Sequence, residues 1–204
     1  MTKGVFITFE GGDGAGKTTL IESVFKELMK GKRPVIKTRE PGGTPLGEAV
    51  RGLLLHSGSV SPYAELALYL ASRAQQVSEV ILPALNEGKI VLCDRFNDST
   101  VVYQGFARDL GMEKVTEICR FVSQGLTPDL TLYLDIDPKI GLERTSKDRK
   151  HDRLEEAGLS FHQKTREAYH QIQKKEPKRF RIVDASKLPE EVFQSAMQWI
   201  EKIS

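Results

Sequence analysis

Residues 11–18 read Gly11-Gly12-Asp13-Gly14-Ala15-Gly16-Lys17-Thr18. Four glycines, a lysine and a hydroxyl residue in the spacing G-x-x-x-x-G-K-[ST] support one chemistry above others, the holding of a polyphosphate. Glycine has no Cβ, so successive backbone N–H groups can turn inward and touch phosphate oxygens. A helix starting near Lys17 adds the partial positive charge of its N-terminus. Lys17 reaches for the β- and γ-phosphates, the Thr18 hydroxyl for Mg²⁺, and Thr19 completes the ATP-binding stretch from Gly11. The motif predicts a nucleoside triphosphate site and leaves open where the phosphate goes. The sequence has no guanine-reading N-K-x-D and no D-x-x-G beyond the loop, which speaks against a switch GTPase. At 204 residues it is short for a motor or transporter ATPase. A small phosphotransferase remains, whose acceptor binds in the same chain. One lysine is little charge against two anionic substrates, so further cations are needed.

The run Ile90–Arg95, IVLCDR, offers the next candidates. A buried strand ending in Asp94-Arg95 delivers both to the carboxyl edge of a parallel sheet, where open α/β folds bind ligands. Asp94 can approach Mg²⁺ or its waters, and Arg95 can clamp a phosphate. A plain surface ion pair is the alternative for these two residues alone.

The elements that must position these groups read as an α/β fold. Five apolar runs bounded by turn or charge signals predict buried parallel strands: Val5–Phe9, Pro34–Thr38, Ile90–Cys93, Leu130–Leu134 and Arg181–Val183. Helical patterns lie between and after them: Lys17–Met29, Pro62–Leu85, a segment from Asp137 as N-cap with Pro138 at the first helical position, Ser160–Gln173, and Ser186–Ile203. Alternation of the two predicts a doubly wound sheet in a single domain over residues 1–204. Two stretches read as neither helix nor strand. TREPGGTPLGEA (38–49) reads as a surface loop, and SKDRKHDRLEEAG (146–158) as a solvated helix or mobile loop.

Six segments then occur in one order: FITFEGGDGAGKTT, TREPGGTPLGEAVR, YLASRAQQ, DRFNDSTVVYQGFAR, PDLTLYLDID and DRLE. Together they resemble the thymidylate kinase family, whose members transfer the ATP γ-phosphate to dTMP and make dTDP, a step toward dTTP. The likeness runs over residues 4–185. TREPGGT and DR…S…YQG are specific to the family, whereas the phosphate loop is shared more widely. The resemblance implies a P-loop NTPase fold, with a five-stranded parallel sheet flanked by helices on both faces and a short mobile lid. It also implies Mg²⁺ beside ATP, and a homodimer.

Carried over by position, the resemblance implies that Arg51, Arg73 and Arg95 line the monophosphate pocket, the Arg73 position usually reading the thymine O4 edge. Tyr69 stands where the family usually stacks a phenylalanine on thymine; it keeps the ring and adds a hydroxyl that must find a partner. Four residues separate Tyr69 from Arg73, which puts both on one helix face. Asp13 matches the loop carboxylate that meets the sugar 3′-hydroxyl. Glu40, Ser99, Thr100, Tyr103 and Gln104 match positions around sugar and base, and Phe96 takes no polar role. Gly14 occupies a position where some members carry an arginine. Members without it carry basic residues in the lid, here matching residues 146–156 with Arg149 and Arg153. Those two arginines join Lys17, Arg95 and Asp94 as the candidate catalytic set. The rivals are another nucleoside or nucleotide kinase, and a nucleotide-dependent switch or binding protein.

Composition bounds the rest. The chain is 39% hydrophobic and 28% charged with a net charge of +2, so it shows no electrostatic footprint for nucleic acid or membrane. Cys93 and Cys119 are widely spaced and read as free thiols. MTKGVFITFE lacks the pattern of a signal peptide and no apolar run is long enough to span a bilayer, so the expected location is the cytoplasm.

Overall fold

The computed structural model describes residues 3–145 and 158–203. Five strands, β1 (Val5–Gly11), β2 (Val35–Arg39), β3 (Ile90–Asp94), β4 (Leu130–Asp135) and β5 (Phe180–Asp184), form one all-parallel sheet in the order β2-β3-β1-β4-β5. All five strands predicted from the apolar runs are present. The pairing aligns Phe9 and Arg39 with Asp94, Gly11 with Leu134, and Asp135 with Asp184. The carboxyl ends therefore share one edge. Central β1 is flanked by β3 on one side and β4 on the other; from β1 the chain builds β2 and β3 first, then crosses over β1 to β4, and a crevice opens at that reversal.

Strand β1 shows why the sheet is covered on both faces. Its Val5, Ile7 and Phe9 pack with α1 (Lys17–Leu28) and α9 (Pro189–Ile200), through Leu20, Ile21, Val24, Ala196 and Ile200. Its Phe6 points the other way into a cluster with Val77, Ile81, Val91 and Phe96. Thr8 shares that second face, where its hydroxyl bonds the Thr131 hydroxyl at 2.8 Å. A strand buried on both sides reads as a continuous apolar run, which is what made it legible.

The helices differ more from expectation. TREPGGTPLGEA is loop only over residues 40–44: its first two residues end β2, and α2 (Pro45–His56) begins inside it. Thr44 caps it, accepting from the Gly47 N–H at 2.9 Å, and Pro45 takes the first helical position. Val50 and Leu54 bury its inner face. The segment predicted as one helix from Pro62 is α3 (Pro62–Gln76), then a π-helical turn (Val77–Ile81), then α4 (Leu82–Asn86). Pro83 has no N–H to donate and its ring crowds the preceding turn. The chain widens there, with the Leu82 N–H reaching back five residues to the Val77 carbonyl.

Three unexpected helical pieces follow β3: α5 (Asn97–Thr100), a second π-helical segment (Val101–Ala107) and α6 (Met112–Val122). In the first two, Asp98, Ser99, Thr100 and Gln104 are buried, which breaks the apolar period that would announce a helix; α6 does bury Val115 and Cys119 four residues apart. Helix α7 (Pro138–Thr145) starts as predicted: the Asp137 carboxylate accepts from the Lys139 N–H at 2.8 Å. Helix α8 (Leu159–Lys175) precedes β5. The lid stretch with Arg149 and Arg153 lies outside the described residues. Among the described residues no helix is long and apolar enough to cross a membrane.

Candidate active site

The crevice is a cavity of about 1220 Å³. It runs from the phosphate loop, over the end of β3, to the inner faces of α3 and the second π-helical segment. The loop leaves β1 at Gly11 and enters α1 through Gly16 in the left-handed region (φ 86°). Lys17 folds back over it and donates to the carbonyls of Gly11 and Gly12 at 2.9 and 3.0 Å. Burial, seconded by the Arg95 charge, holds the Lys17 ammonium below its ordinary range. Gly14 explains the missing loop arginine. Its φ is +71°, and a Cβ there would lie 2.1 Å from the Gly141 carbonyl oxygen. Gly141 in turn has no room for a Cβ, which would meet the Asp13 carbonyl at 2.5 Å. This glycine-to-glycine contact seats α7 on the loop. It also brings Arg144, one turn on, to the carbonyls of Gly14 and Ala185 at 3.4 and 3.2 Å.

At the end of β3 the chain turns sharply. Arg95 has φ 67°, a left-handed conformation that costs a non-glycine residue of order 1 kcal/mol. Four contacts hold it there. The Arg95 N–H donates to the Phe9 carbonyl and the Phe96 N–H to Glu10, at 2.9 and 2.8 Å. The guanidinium reaches Ser99 and Asp13, each at 3.2 Å. It also lies 5.1 Å from the centre of the Tyr103 ring. Beneath it, Glu10 is fully buried and accepts from the Ser99 and Tyr169 hydroxyls as well as from Phe96. Burial and the neighbouring Asp98 push the Glu10 carboxyl up to about 7, against its hydrogen bond from Ser99.

Helix α3 presents Glu65, Tyr69 and Arg73 at successive four-residue steps, so one face carries all three. Arg73 is 1% exposed. Its Nε and Nη2 both reach Glu40 Oε2, at 2.7 and 2.6 Å, and Nη1 donates to Thr100 at 2.9 Å. Phe96 lies under the guanidinium, 5.2 Å away, the apolar role expected of it. Arg51 donates to the Pro41 carbonyl at 3.1 Å from across the cavity. Gln104 sits opposite, its Nε2 on Glu65 at 2.8 Å.

Among the described residues four buried side-chain atoms have no hydrogen-bond partner, and three of them belong to lining residues: Glu40 Oε1, Asp94 Oδ1 and the Tyr103 hydroxyl. An unpaired buried polar atom costs about 1–3 kcal/mol, so three around one cavity point to ligand groups that complete them. Burial holds the Tyr103 phenol up at about 12, leaving it a donor. Asp94 Oδ1, with the Thr18 hydroxyl on the same cavity, fits a hydrated divalent cation carried chiefly by phosphate oxygens. No group of three or more His, Cys, Asp or Glu among the described residues could hold a metal without such help.

Every described residue predicted for the substrates therefore borders this cavity, except Gly11 and Gly12, whose carbonyls instead hold Lys17. Arg149 and Arg153 lie outside the described residues. Reading the sequence missed Glu10, Glu65 and Arg144. The signal for Glu65 was available, since it shares the four-residue step with Tyr69 and Arg73. Arg144 had none, because its place depends on the contact between two glycines far apart in the chain.

Comparison with known proteins agrees with this geometry. The thymidylate kinase family profile matches residues 9–196. The chain is 47% identical over 207 residues to the thymidylate kinase of Shouchella clausii, covering 100% of this chain and 97% of that one. It is 47% identical to the thymidylate kinase of Protochlamydia amoebophila, over 98% of this chain and 93% of the other. The crystal structure of thymidylate kinase from Ehrlichia chaffeensis superposes with a TM-score of 0.80 at 31% identity, covering 97% and 99% of the two chains. The loop, the Asp94-Arg95 turn and the arginine-bearing face of α3 are thus found in a chain that belongs to the thymidylate kinase family.

Proposed function

We infer that the residues lining the cavity divide between the two substrates of the reaction this chain catalyses, ATP-dependent phosphorylation of dTMP to dTDP. The ATP phosphates lie on the loop from Gly11 to Thr19, with Lys17 on the β- and γ-phosphates and Arg144 beside them. Thr18, and Asp94 through water, would hold Mg²⁺, which when bound neutralises charge on the β- and γ-oxygens. The dTMP phosphate lies on Arg51 and Arg95. Asp13 faces the sugar hydroxyl, Tyr69 the face of the base, and Arg73 with Gln104 its edge. Glu40, Ser99, Thr100 and Tyr103 complete the wall. Tyr103, packed against Arg95, crowds a 2′-hydroxyl and so favours the deoxy sugar.

The chemistry is electrostatic. A dTMP phosphate oxygen, already ionised at neutral pH, bonds to the γ-phosphorus as the bond to the β–γ bridging oxygen breaks and ADP leaves. No strong general base is required. The site must hold two polyanions in line and spread the charge of the transferring group, which Lys17, Arg95 and Arg51 do. The lid arginines, Arg153 ahead of Arg149, would supply the rest on closing. A working location in the cytoplasm suits these substrates. A homodimer is the assembly we assign, supported by exposed apolar residues on three helices that pack side by side: Leu53 on α2, Tyr63 on α3, and Ile118 and Phe121 on α6.

The three unpaired buried atoms around one cavity carry this reading. It is tested by coupled ADP release with a panel of nucleoside monophosphates and thymidine. Turnover strongest with dTMP is expected. Preference for thymidine would make the chain a nucleoside kinase, and turnover that no acceptor stimulates would make it a nucleotide-dependent binding protein.

A further inference from the structure

We propose that Glu65 is a positioning residue for base selection: it fixes the side-chain amide of Gln104 so that its carbonyl is left for the base, and the pocket then accepts a pyrimidine whose N3 carries a proton. The inference rests on the assignment of the inner cavity to the dTMP base. The two ends of a glutamine amide have nearly the same shape and opposite hydrogen-bonding character, so a wall glutamine specifies nothing until something decides which way it faces. A carboxylate only accepts when ionised. Glu65 is fully buried on the first turn of α3, and its Oε1 takes the Gln104 Nε2 at 2.8 Å. The flipped amide would set two acceptors against each other in a site shielded from water.

The carboxylate is itself held. Arg108 Nε lies 3.5 Å from the same oxygen, and its guanidinium rests 4.9 Å from the centre of the Phe161 ring. Gln104 is 1% exposed and borders the cavity. Its Oε1 receives no hydrogen bond among the described residues, so this is the end available to a ligand.

Arg73, two turns beyond Glu65 on the same helix, borders the same cavity and can only donate. At the base edge assigned to them, Arg73 is therefore a donor and Gln104 Oε1 an oriented acceptor, while Glu40 and Tyr103 line the cavity beside them. Thymine and uracil match this donor and acceptor with the O4 acceptor and the N3–H donor. Cytosine reverses both, with an amino group at C4 and a bare N3. A substrate that leaves buried polar groups of the site unpaired is rejected by about 10⁴-fold or more, so the direction of one amide governs a large ratio.

The test measures kcat/KM for dTMP and for dCMP, with ATP saturating, in the wild type, Glu65→Gln, Gln104→Leu and the double variant. Glutamine at 65 keeps the shape and can still accept, but it can also donate, so it no longer forbids the flipped Gln104. The dTMP/dCMP ratio is expected to fall at least about tenfold in Glu65→Gln, with KM for dTMP rising and kcat changing little. In the Gln104→Leu background the same substitution should leave the ratio unmoved, because there is no amide to orient. A purely structural role predicts instead a lower melting temperature with the ratio preserved, and that result overturns the proposal. So does an equal fall in both backgrounds. Should Glu65→Gln not fold, Arg108→Gln loosens the same carboxylate from a partly exposed position, and an unchanged ratio there refutes the idea as well. Wild-type enzyme that uses dCMP as readily as dTMP removes the base assignment itself, a failure seen before any variant is made.

Discussion

At the scale of the residue, two buried charges make the clearest predictions. Lys17 is held by two loop carbonyls with its charge already desolvated, so in the proposed complex binding ATP would exchange those carbonyls for phosphate oxygens. One oriented donor on developing charge contributes about 3–4 kcal/mol. Lys17→Ala should therefore lower turnover by roughly 10²- to 10³-fold with the fold intact by circular dichroism; near-normal activity would remove the loop from the mechanism. Glu10 makes the opposite kind of prediction, about stability. Its carboxyl rises from an ordinary 4.5 to about 7 on folding. Between these values the folded state binds more protons than the unfolded one, so its contribution is complete below pH 4.5 and is lost as pH rises through 7. Lys17, Arg73, Arg95, Asp98, Tyr103 and Tyr169 all face it, and its charge must be set against theirs. Glu10→Gln imitates the protonated group. Relative to wild type its stability should climb by on the order of 3 kcal/mol from pH 4.5 to 7.5, measured by urea unfolding. Parallel pH curves would contradict it.

At the scale of the element, α7 meets the phosphate loop through bare backbone. Gly14→Arg would install the arginine that some relatives carry, and simple charge counting predicts a faster enzyme. The structure predicts a worse one. A Cβ at Gly14 collides with the Gly141 carbonyl in a left-handed conformation, so the loop or α7 must shift, carrying Arg144 with it. Destabilisation of at least about 2 kcal/mol, a melting temperature some 4–8 °C lower, and reduced turnover are expected. An active variant of unchanged melting temperature would show the contact to be slack. The same elements show what could be read from the sequence. The inner strands β1, β3 and β4 were legible because they are buried almost throughout and read as apolar runs, and the half-exposed edge strands β2 and β5 because a short apolar core, Val35-Ile36 and Ile182-Val183, is bounded by charge. The loop, Asp94 and Arg95 were legible as chemistry, and family likeness gathered the rest of the pocket. Helix α2 was hidden because its cap and first turn, Thr44-Pro45-Leu46-Gly47, are the residues that ordinarily mark a loop. Helix α5 and the second π-helical segment were hidden because cavity-lining Ser99, Thr100 and Gln104 stand where apolar residues would set the period.

At the scale of the whole molecule, the proposed dimer rests on the exposed apolar residues of α2, α3 and α6. Phe121 is 85% exposed, Tyr63 75% and Leu53 52%, on three neighbouring helices whose inner faces are already packed. An exposed apolar patch of this kind marks an interface. The symmetry expected of two identical chains doubles each contact. Burying one phenylalanine contributes about 1.5–3 kcal/mol, so a two-fold interface loses about 3–6 kcal/mol when Phe121→Asp removes it from both sides. That is a weakening of the dimer by roughly 10²- to 10⁴-fold. Sedimentation at micromolar concentration should find two 22.9 kDa chains together in the wild type and a single chain in the variant. The consequence would reach the site, because the helix that exposes Tyr63 also carries Tyr69 and Arg73. Freed of its partner, α3 should hold them less firmly. The variant's KM for dTMP should then rise more than its KM for ATP, whose loop is seated on α1 and α7. A wild-type chain that sediments as a monomer would sink the assembly, and a monomeric variant with unchanged KM for dTMP would separate assembly from the pocket.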